Sequence, residues 1–128
     1  MGPLPIISDH VPPYWDEHLA IDFDRRTATL DGEEMTLTRK EYDLLALLVR
    51  NAGEIVPRGA LLLQVWGYGS EIRTRTLDVH VRRLRKKLAI YADRYVETIF
   101  GIGYRFQPYH PARAFPQVIG KPAIAIGA

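Results

Sequence analysis

The order of apolar and polar residues divides the chain into a first part typical of short strands and a middle part typical of helices. Residues 19–23, 27–30 and 34–37 are short extended segments bounded by polar turn residues. Asp31 and Gly32 are a strong hairpin signal between the last two segments, because both residue types tolerate a positive φ. This pattern predicts a small antiparallel sheet near the amino terminus.

Helical periodicity follows the predicted sheet. Thr38 and Glu41 have the spacing of a capping box, in which each side chain satisfies a free backbone amide at a helix start. The predicted helix runs to Gly53, which can end it in a left-handed conformation. After a short connecting strand, Pro57 occupies the first position of a second helix, which continues through residues 58–66.

A third helix is predicted from about residue 74 to residue 90, and it has two opposite faces. At about 100° per residue, one face is an apolar stripe that can pack on a core. The stripe consists of Leu77, Val81, Leu84 and Leu88. The opposite face and its shoulders carry Arg75, Thr76, Asp78, Val79, Arg82, Arg83, Arg85, Lys86 and Lys87. We therefore expect this helix to expose a cationic side.

Two strand-like segments, residues 95–100 and 104–106, flank Gly101-Ile102-Gly103 and predict a tight hairpin. A three-helix core with an amino-terminal antiparallel sheet and a carboxy-terminal β-hairpin wing describes an α+β fold, the winged helix-turn-helix. The predicted domain covers residues 16–107. A flexible proline-rich leader at residues 1–15 and a proline-rich tail at residues 108–128 are expected on either side.

Length and composition narrow the class of protein. A chain of 128 residues with 47% hydrophobic and 25% charged residues is typical of one soluble globular domain. The absence of cysteine excludes disulfides, cysteine-bound metal and thiol nucleophiles. No apolar run is long enough to span a membrane and no signal pattern is present, so a cytoplasmic protein without a membrane partner is expected. No nucleophile–base pair or metal cluster stands out, and we expect neither catalysis, cofactor nor metal.

The charge is concentrated on the third helix. Residues 73–94 contain eight lysines and arginines but only two aspartates, whereas the whole chain has a net charge of only +2. A face that serves only solubility normally mixes both signs, so this segregation favours an anionic partner. A helix about 10–12 Å wide also fits a B-DNA major groove about 12 Å wide.

Two residues of this helix leave alternatives open. Val79 lies in the middle of the basic face, where its methyl groups suit a thymine methyl, but a single exposed valine is also ordinary. His80 lies at the edge of the apolar stripe. It is either a core-edge histidine bonded to the backbone or a donor to a phosphate.

Four segments together resemble the DNA-binding effector domain of OmpR/PhoB-type response regulators, over about residues 19–106. They are LTRKEYDLL at 37–45, VWGY at 65–68, RTLDVHVRRLRKKL at 75–88 and GIGYRF at 101–106. The resemblance implies a bacterial-type transcription regulator, acting in a two-component phosphorelay or as a stand-alone relative. It further implies that the third helix reads double-stranded DNA from the major groove.

The resemblance assigns roles to individual positions. Base contacts fall to Val79 and Arg83, and phosphate contacts to Arg75, Thr76, His80, Arg82, Arg85, Lys86 and Tyr104. The wing comprises Thr98, Phe100, Gly101, Ile102 and Gly103. The loop expected to contact RNA polymerase comprises Gly67, Tyr68, Gly69, Ser70, Glu71, Ile72 and Arg73. Tandem direct repeats of DNA and a head-to-tail dimer on them are implied as well.

The chain departs from the family pattern at two positions. An arginine that enters the minor groove commonly stands two residues after the wing threonine, and Phe100 stands there instead. It could pack under the wing or act as an apolar wedge. Pro57 replaces the usual Ser or Thr cap. Fewer than 20 residues precede the first predicted strand, too few for a receiver domain. The chain is therefore either an excised effector domain or a natural stand-alone regulator.

Two other hypotheses remain open. A winged-helix interaction module would bind an acidic protein surface, and Phe100 with the apolar tail favours it slightly. A non-specific DNA binder would bind duplexes without sequence preference. Selection from a random duplex pool separates these from sequence-specific binding.

Overall fold

The structure is a computed structural model that describes residues 11–67 and 74–109. The elements follow in this order: β1 (Tyr14–Trp15), β2 (Leu19–Asp22), β3 (Thr27–Leu30), β4 (Glu33–Glu34), α1 (Arg39–Arg50), β5 (Ile55–Pro57), α2 (Arg58–Trp66), α3 (Thr74–Leu88), a 3-10 turn (Ala89–Tyr91), α4 (Ala92–Tyr95), β6 (Val96–Ile99) and β7 (Gly103–Phe106). The predicted three-helix core, amino-terminal sheet and carboxy-terminal hairpin are all present.

The first sheet has the strand order β1-β2-β3-β4, with every neighbouring pair antiparallel. Asp31 and Gly32 make the predicted hairpin turn with φ values of 51° and 87°. The fourth strand covers residues 33–34 rather than the predicted 34–37. The paired register with β3 includes only these two residues, although the Met35 amide still donates to the Ala28 carbonyl at 2.7 Å.

The folded part begins earlier than the predicted leader boundary allows. Tyr14 and Trp15 belong to the predicted leader, yet they form β1 against β2. The Tyr14 ring meets the buried Phe106 ring edge to face at 5.4 Å, and its hydroxyl donates a hydrogen bond to Asp16. A contact across 92 positions of sequence has no local signature, so the pattern of prolines alone misplaced the boundary.

Helix α1 begins with the predicted capping box. Thr38 Oγ1 accepts from the Glu41 amide at 3.2 Å, and Glu41 Oε1 accepts from the Thr38 amide at 2.9 Å. Pro57 is not the first residue of α2 as predicted. It ends β5 and occupies the cap position in an extended conformation with ψ of 152°, so α2 begins at Arg58 without a side-chain cap.

Helix α3 crosses α1 and α2 through its apolar stripe. Leu77, Val81, Leu84 and Leu88 are all buried, as the periodicity predicts. The helix ends at Leu88 rather than near residue 90, because Ala89 has a φ of 56° and a 3-10 turn follows. Among the described residues, no helix is long and apolar enough to cross a membrane.

The second sheet has the strand order β5-β7-β6, so the short connecting strand pairs with the wing. Gly103 pairs with Pro57 and comes so close to it that an added Cβ would lie 2.9 Å from the Pro57 Cα. Of the predicted tail, residues 108–109 are described, and the Tyr109 ring packs on His18 with ring centroids 4.6 Å apart. Residues 110–128 lie outside the described residues.

Candidate nucleic-acid interface

The basic face of α3 consists of cationic side chains that are exposed to solvent. Because the four stripe residues are buried, the side chains about 180° away must point outwards. Arg75, Arg82, Arg83 and Lys86 are exposed, and Val79 between them is half-buried. The structure therefore brings together four of the predicted phosphate or base contacts around the predicted apolar base contact.

Arg85 differs from its neighbours because its guanidinium group points to the wing. Its Nη2 donates to the Val96 carbonyl at 2.7 Å and to Thr98 Oγ1 at 2.6 Å, and its Nε donates to the same carbonyl at 3.3 Å. The group is half-buried and lies over the Tyr104 ring at 5.6 Å. Arg85 thus ties α3 to β6 instead of standing free for the predicted phosphate contact.

Tyr104 is a second predicted phosphate contact that the structure uses internally. The side chain is buried on β7, and its hydroxyl donates to Asp78 Oδ1 at 2.8 Å. Burial and the neighbouring Asp78 carboxylate raise the pKa of Tyr104. A phenol with its proton committed to Asp78 has no donor left for a DNA phosphate in this conformation.

Asp78 completes a link between α2, α3 and the wing. Arg58 Nη2, at the start of α2, donates to Asp78 Oδ1 at 2.6 Å. Burial by itself would raise the pKa of Asp78, but the hydrogen bonds from Tyr104 and Arg58 outweigh it and lower the pKa. Asp78 therefore forms an ion pair with an arginine of α2 rather than with one of the basic helix itself.

His80 adopts the first of its two predicted alternatives. Its Nδ1 lies 2.8 Å from the Thr76 carbonyl, one turn earlier in the helix. The imidazole ring meets the Trp66 indole edge to face at a centroid distance of 5.0 Å. Because Nδ1 is engaged by a backbone carbonyl and the ring packs on Trp66, the geometry favours a packing role for His80.

The wing presents an apolar tip. Phe100 is 89% exposed and Ile102 is 51% exposed, with Gly101 between them at a φ of 79°. Phe100 therefore does not pack under the wing, which was one of its two expected roles. The strands behind the tip are fixed to α3 through Thr98 and Tyr104, so the tip is held beside the basic face.

Lys87 anchors the far end of α3 to α1. Its Nζ donates to Glu41 Oε1 at 2.7 Å, and Glu41 is the buried carboxylate of the capping box. Burial would raise the pKa of Glu41, but hydrogen bonds from Lys87 and the Thr38 amide outweigh it and lower the pKa. The stripe and this ion pair fix which side of α3 faces outwards.

No local pattern in the sequence indicates the role of Arg58, because its pairing partner lies 20 positions away. The same holds for the Glu41–Lys87 pair, which spans 46 positions. Of the predicted polymerase-contact loop, Gly67 is described and caps α2, while residues 68–73 lie outside the described residues. Among the described residues, no group of three potential metal ligands lies together.

Comparison with known proteins identifies relatives of this arrangement. Residues 32–106 match the family described as "Transcriptional regulatory protein, C terminal". The chain is 44% identical over 87 residues to response regulator ArlR of Staphylococcus haemolyticus and 42% identical to that of Staphylococcus saprophyticus. The aligned part covers 67% of this chain but only 40% of each relative, so the chain spans less than half of their length.

Solved structures with the same fold include two that contain DNA. The RstA DNA-binding domain of Klebsiella pneumoniae in complex with the RstA box has a TM-score of 0.68 and 34% identity, and the match covers 76% of this chain and 98% of that domain. The AdeR DNA-binding domain in complex with an intercistronic region has a TM-score of 0.65 and 26% identity, over 75% of this chain and 100% of that domain. DrrB, an OmpR/PhoB homologue of Thermotoga maritima, has a TM-score of 0.68 and 34% identity, over 74% of this chain and 44% of that protein.

Proposed function

The chain belongs to the family of transcriptional regulatory protein C-terminal domains, and from this membership we propose that it binds a specific sequence of double-stranded DNA. The similarity to DrrB also confirms the resemblance to OmpR/PhoB-type regulators expected from the sequence. In this proposal α3 lies in the major groove as the recognition helix, and the domain is the effector part of a response regulator or of a stand-alone relative.

The observation that carries the proposal is the exposed face of α3. Four cations surround one half-buried valine, and the other side of the helix is locked into the core. Lysine and arginine neutralise phosphates and so provide affinity that depends on salt. Arg83 and Val79 are the proposed base contacts, because guanidinium groups bind guanine edges and methyl groups contact thymine.

The proposed phosphate contacts are those cations that have no internal task in the structure. Arg75, Arg82 and Lys86 remain the main proposed contacts. Arg85, His80 and Tyr104 are proposed instead to support the interface, because each makes an internal hydrogen bond. Thr76 stays a proposed contact at the edge of the face.

We extend the proposal to the partners of the chain, which are duplex DNA, a second copy and RNA polymerase. The RstA and AdeR domains were solved on DNA, which supports a duplex partner for this chain as well. Tandem direct repeats, a head-to-tail pair of copies and contact of residues 67–73 with RNA polymerase are proposed from the family resemblance. A regulator with these properties works in the cytoplasm.

Selection from a random pool of duplexes tests the proposal directly. We expect the full 128-residue chain to enrich one motif, and its affinity for that motif to fall steeply with salt, by about 0.9 log units per log unit of salt for each neutralised phosphate. A pool that shows no motif, together with no binding to bulk duplex at low salt, would overturn the proposal. Binding without enrichment would identify a non-specific DNA binder.

A second candidate function is a winged-helix module that binds a protein. The apolar tip formed by Phe100 and Ile102 favours it, because a large exposed apolar side chain on a rigid hairpin is typical of a contact surface. Phe100→Ala separates the two functions when measured on the selected duplex. Weaker DNA binding assigns the tip to the DNA interface, whereas unchanged DNA binding leaves it for another partner.

A further inference from the structure

The tip of the wing is an uncharged, apolar surface beside a helix face that is cationic. Residues 98–104 contain no charged side chain. Within them, Phe100 is almost fully exposed and Ile102 is half-exposed. Burying such side chains removes apolar surface from water. The tip therefore suits a partner surface that is itself apolar.

Backbone hydrogen bonds hold the tip in one conformation. The Ile102 amide donates to the Ile99 carbonyl at 2.9 Å and closes the turn. The Ile102 carbonyl accepts from the Arg58 amide at 3.0 Å, which ties the turn to the start of α2. Behind the turn, Arg85 donates to Thr98 at 2.6 Å. A tip that is already ordered loses little conformational entropy on binding, so it is preorganised for contact.

The tip also lies within reach of the groove next to the one proposed for α3. A helix with its side chains has a radius of about 5–6 Å, and the hydrogen bond from Arg85 to Thr98 adds 2.6 Å. Two residues of strand from Thr98 to Phe100 add about 7 Å, so the reach from the α3 axis is about 15 Å. Half a turn of B-DNA, which separates a major groove from the adjacent minor groove, is about 17 Å. With α3 in the major groove, the Phe100 ring is long enough to enter the neighbouring minor groove.

The faces of the bases are the largest apolar surface that a minor groove can offer to this tip. The groove floor presents hydrogen-bond acceptors of adenine and thymine, for which a phenylalanine has no donor. The phosphates at the groove edges attract cations, and the tip has none. Base faces are apolar, but a side chain reaches them only where a base step opens. A close contact between Phe100 and the bases therefore requires an opened step.

We propose that Phe100 enters the minor groove as an apolar wedge, opens one base step and bends the duplex towards the major groove. The step is a pyrimidine–purine step, because TA and CA/TG steps unstack most easily. It lies about five base pairs, or half a helical turn, from the centre of the α3 contact. The inference rests on the proposed DNA binding and adds a residue that selects DNA by its deformability, not by hydrogen bonds to base edges.

A thermodynamic cycle between Phe100 and the base step tests the inference. Wild type and Phe100→Ala, both as the full 128-residue chain, are titrated with the selected duplex and with a duplex in which only this step is replaced by a stiff AA step. We expect wild type to prefer the flexible step by about 3- to 30-fold, and Phe100→Ala to bind both duplexes equally. Trp15→Ala is the matched control and should keep the preference, because Trp15 is also a largely exposed aromatic residue but lies on β1 in the other sheet.

Two further measurements separate an opened step from a simple contact. The fluorescence of 2-aminopurine in place of the adenine of the step rises when the base unstacks, and energy transfer between dyes at the duplex ends reports the bend. We expect wild type to change both signals and Phe100→Ala to change neither. Phe100→Arg should also change neither and should steepen the salt dependence by about 0.9 log units per log unit of salt, because a phosphate contact then replaces the wedge.

The outcomes distinguish this inference from the DNA-binding proposal. If wild type binds the selected duplex but Phe100→Ala keeps the same step preference and the same bend, the wedge is wrong and the tip is left for a protein partner. If wild type binds without unstacking or bending the duplex, the wedge is wrong as well. A selected motif that lacks a pyrimidine–purine step about five base pairs from the α3 contact also overturns it. If wild type binds no duplex at all, the DNA-binding proposal itself fails, and the wedge fails with it.

Discussion

The hydroxyl of Tyr104 on β7 donates a hydrogen bond of 2.8 Å to Asp78 on α3. This bond joins the base of the wing to the basic helix. Arg58 reaches the same carboxylate from α2 and lies over the Tyr104 ring at 5.9 Å. The wing, the basic helix and the second helix are therefore positioned by one shared carboxylate, that of Asp78.

Tyr104→Phe removes the hydroxyl and keeps the ring in the core. We expect the free energy of unfolding to fall by about 0.5–1.5 kcal/mol, which is typical of one lost hydrogen bond. Urea unfolding at neutral pH measures it. Tyr42→Phe is the matched control, because Tyr42 is also a buried tyrosine but its hydroxyl makes no hydrogen bond to any of the described residues. An equal loss in both variants would show that the Asp78 contact contributes nothing.

Arg85→Ala and Arg82→Ala distinguish a structural arginine from an exposed one. Arg85 donates to the Val96 carbonyl and to Thr98, so its loss leaves these acceptors without their donor and is expected to cost about 1–3 kcal/mol of unfolding free energy. Arg82 is exposed, and its substitution is expected to change stability by less than about 0.5 kcal/mol. Thermal and urea unfolding of both variants check this. Similar stabilities of the two variants would contradict the structural role of Arg85 and make it a proposed phosphate contact again.

Arg83→Ala and Arg82→Ala are expected to change DNA binding in different ways. Loss of a base contact at Arg83 should cost about 1–3 kcal/mol and relax the preference at one base pair. Loss of a phosphate contact at Arg82 should weaken all sequences alike and reduce the salt slope by about 1. Titration of the selected duplex and its single-base variants at several salt concentrations measures both effects. Wild-type behaviour of both variants would refute the proposed roles.

The Glu41–Lys87 pair predicts a loss of stability in acid. The pKa of Glu41 is below its ordinary value of 4.5, so the folded state binds this proton less tightly than the unfolded state does. The contribution is therefore complete above about pH 4.5 and is lost as the pH falls through the lower pKa of the folded state. Glu41→Gln should lower stability at pH 7 and make it less sensitive to acid. Urea unfolding at pH 7 and at about pH 3.5 measures how much the free energy of unfolding falls with pH in the wild type and in the variant.

An unchanged acid dependence in Glu41→Gln would mean that other carboxylates carry it. Asp78 is one such group, because its pKa is also lowered. Asp78→Asn separates the two contributions.

Gly103 and Gly101 are expected to respond differently to alanine. At Gly103 a Cβ would collide with the backbone of Val56 and Pro57, so β5 and β7 must separate. At Gly101 the space is open and only the φ of 79° is strained, which costs about 1 kcal/mol. We expect Gly103→Ala to lose clearly more stability, about 3 kcal/mol or more. Comparable melting temperatures would contradict the close approach of the two strands.

Local patterns predicted most of the helices and the turns. Thr38 and Glu41 form their capping box because both partners lie within one helical turn. The four leucine and valine positions of α3 are buried because helical periodicity alone places them on one side. The hairpin at Asp31 and Gly32 follows from the φ values that these two residue types accept.

The end of α3 and the extra strand at Tyr14 could not be predicted from local patterns. Tyr14 packs its ring on Phe106, which lies 92 positions later in the chain. The predicted helix end near residue 90 was slightly late, because the chain turns at Ala89 to reach α4 and the wing. Neither feature has a signal in the neighbouring sequence.

The sequence by itself determined that α3 has an apolar side and a cationic side, because charge and periodicity are properties of residues close along the chain. Only the tertiary structure decided which cations are left for a partner. Arg82 and Arg85 are the same residue type in the same helix, yet Arg82 is exposed while Arg85 donates a hydrogen bond to the Val96 carbonyl. The physical reason is that an arginine is satisfied by whichever carbonyl or carboxylate the fold brings within reach, often from far away in the chain.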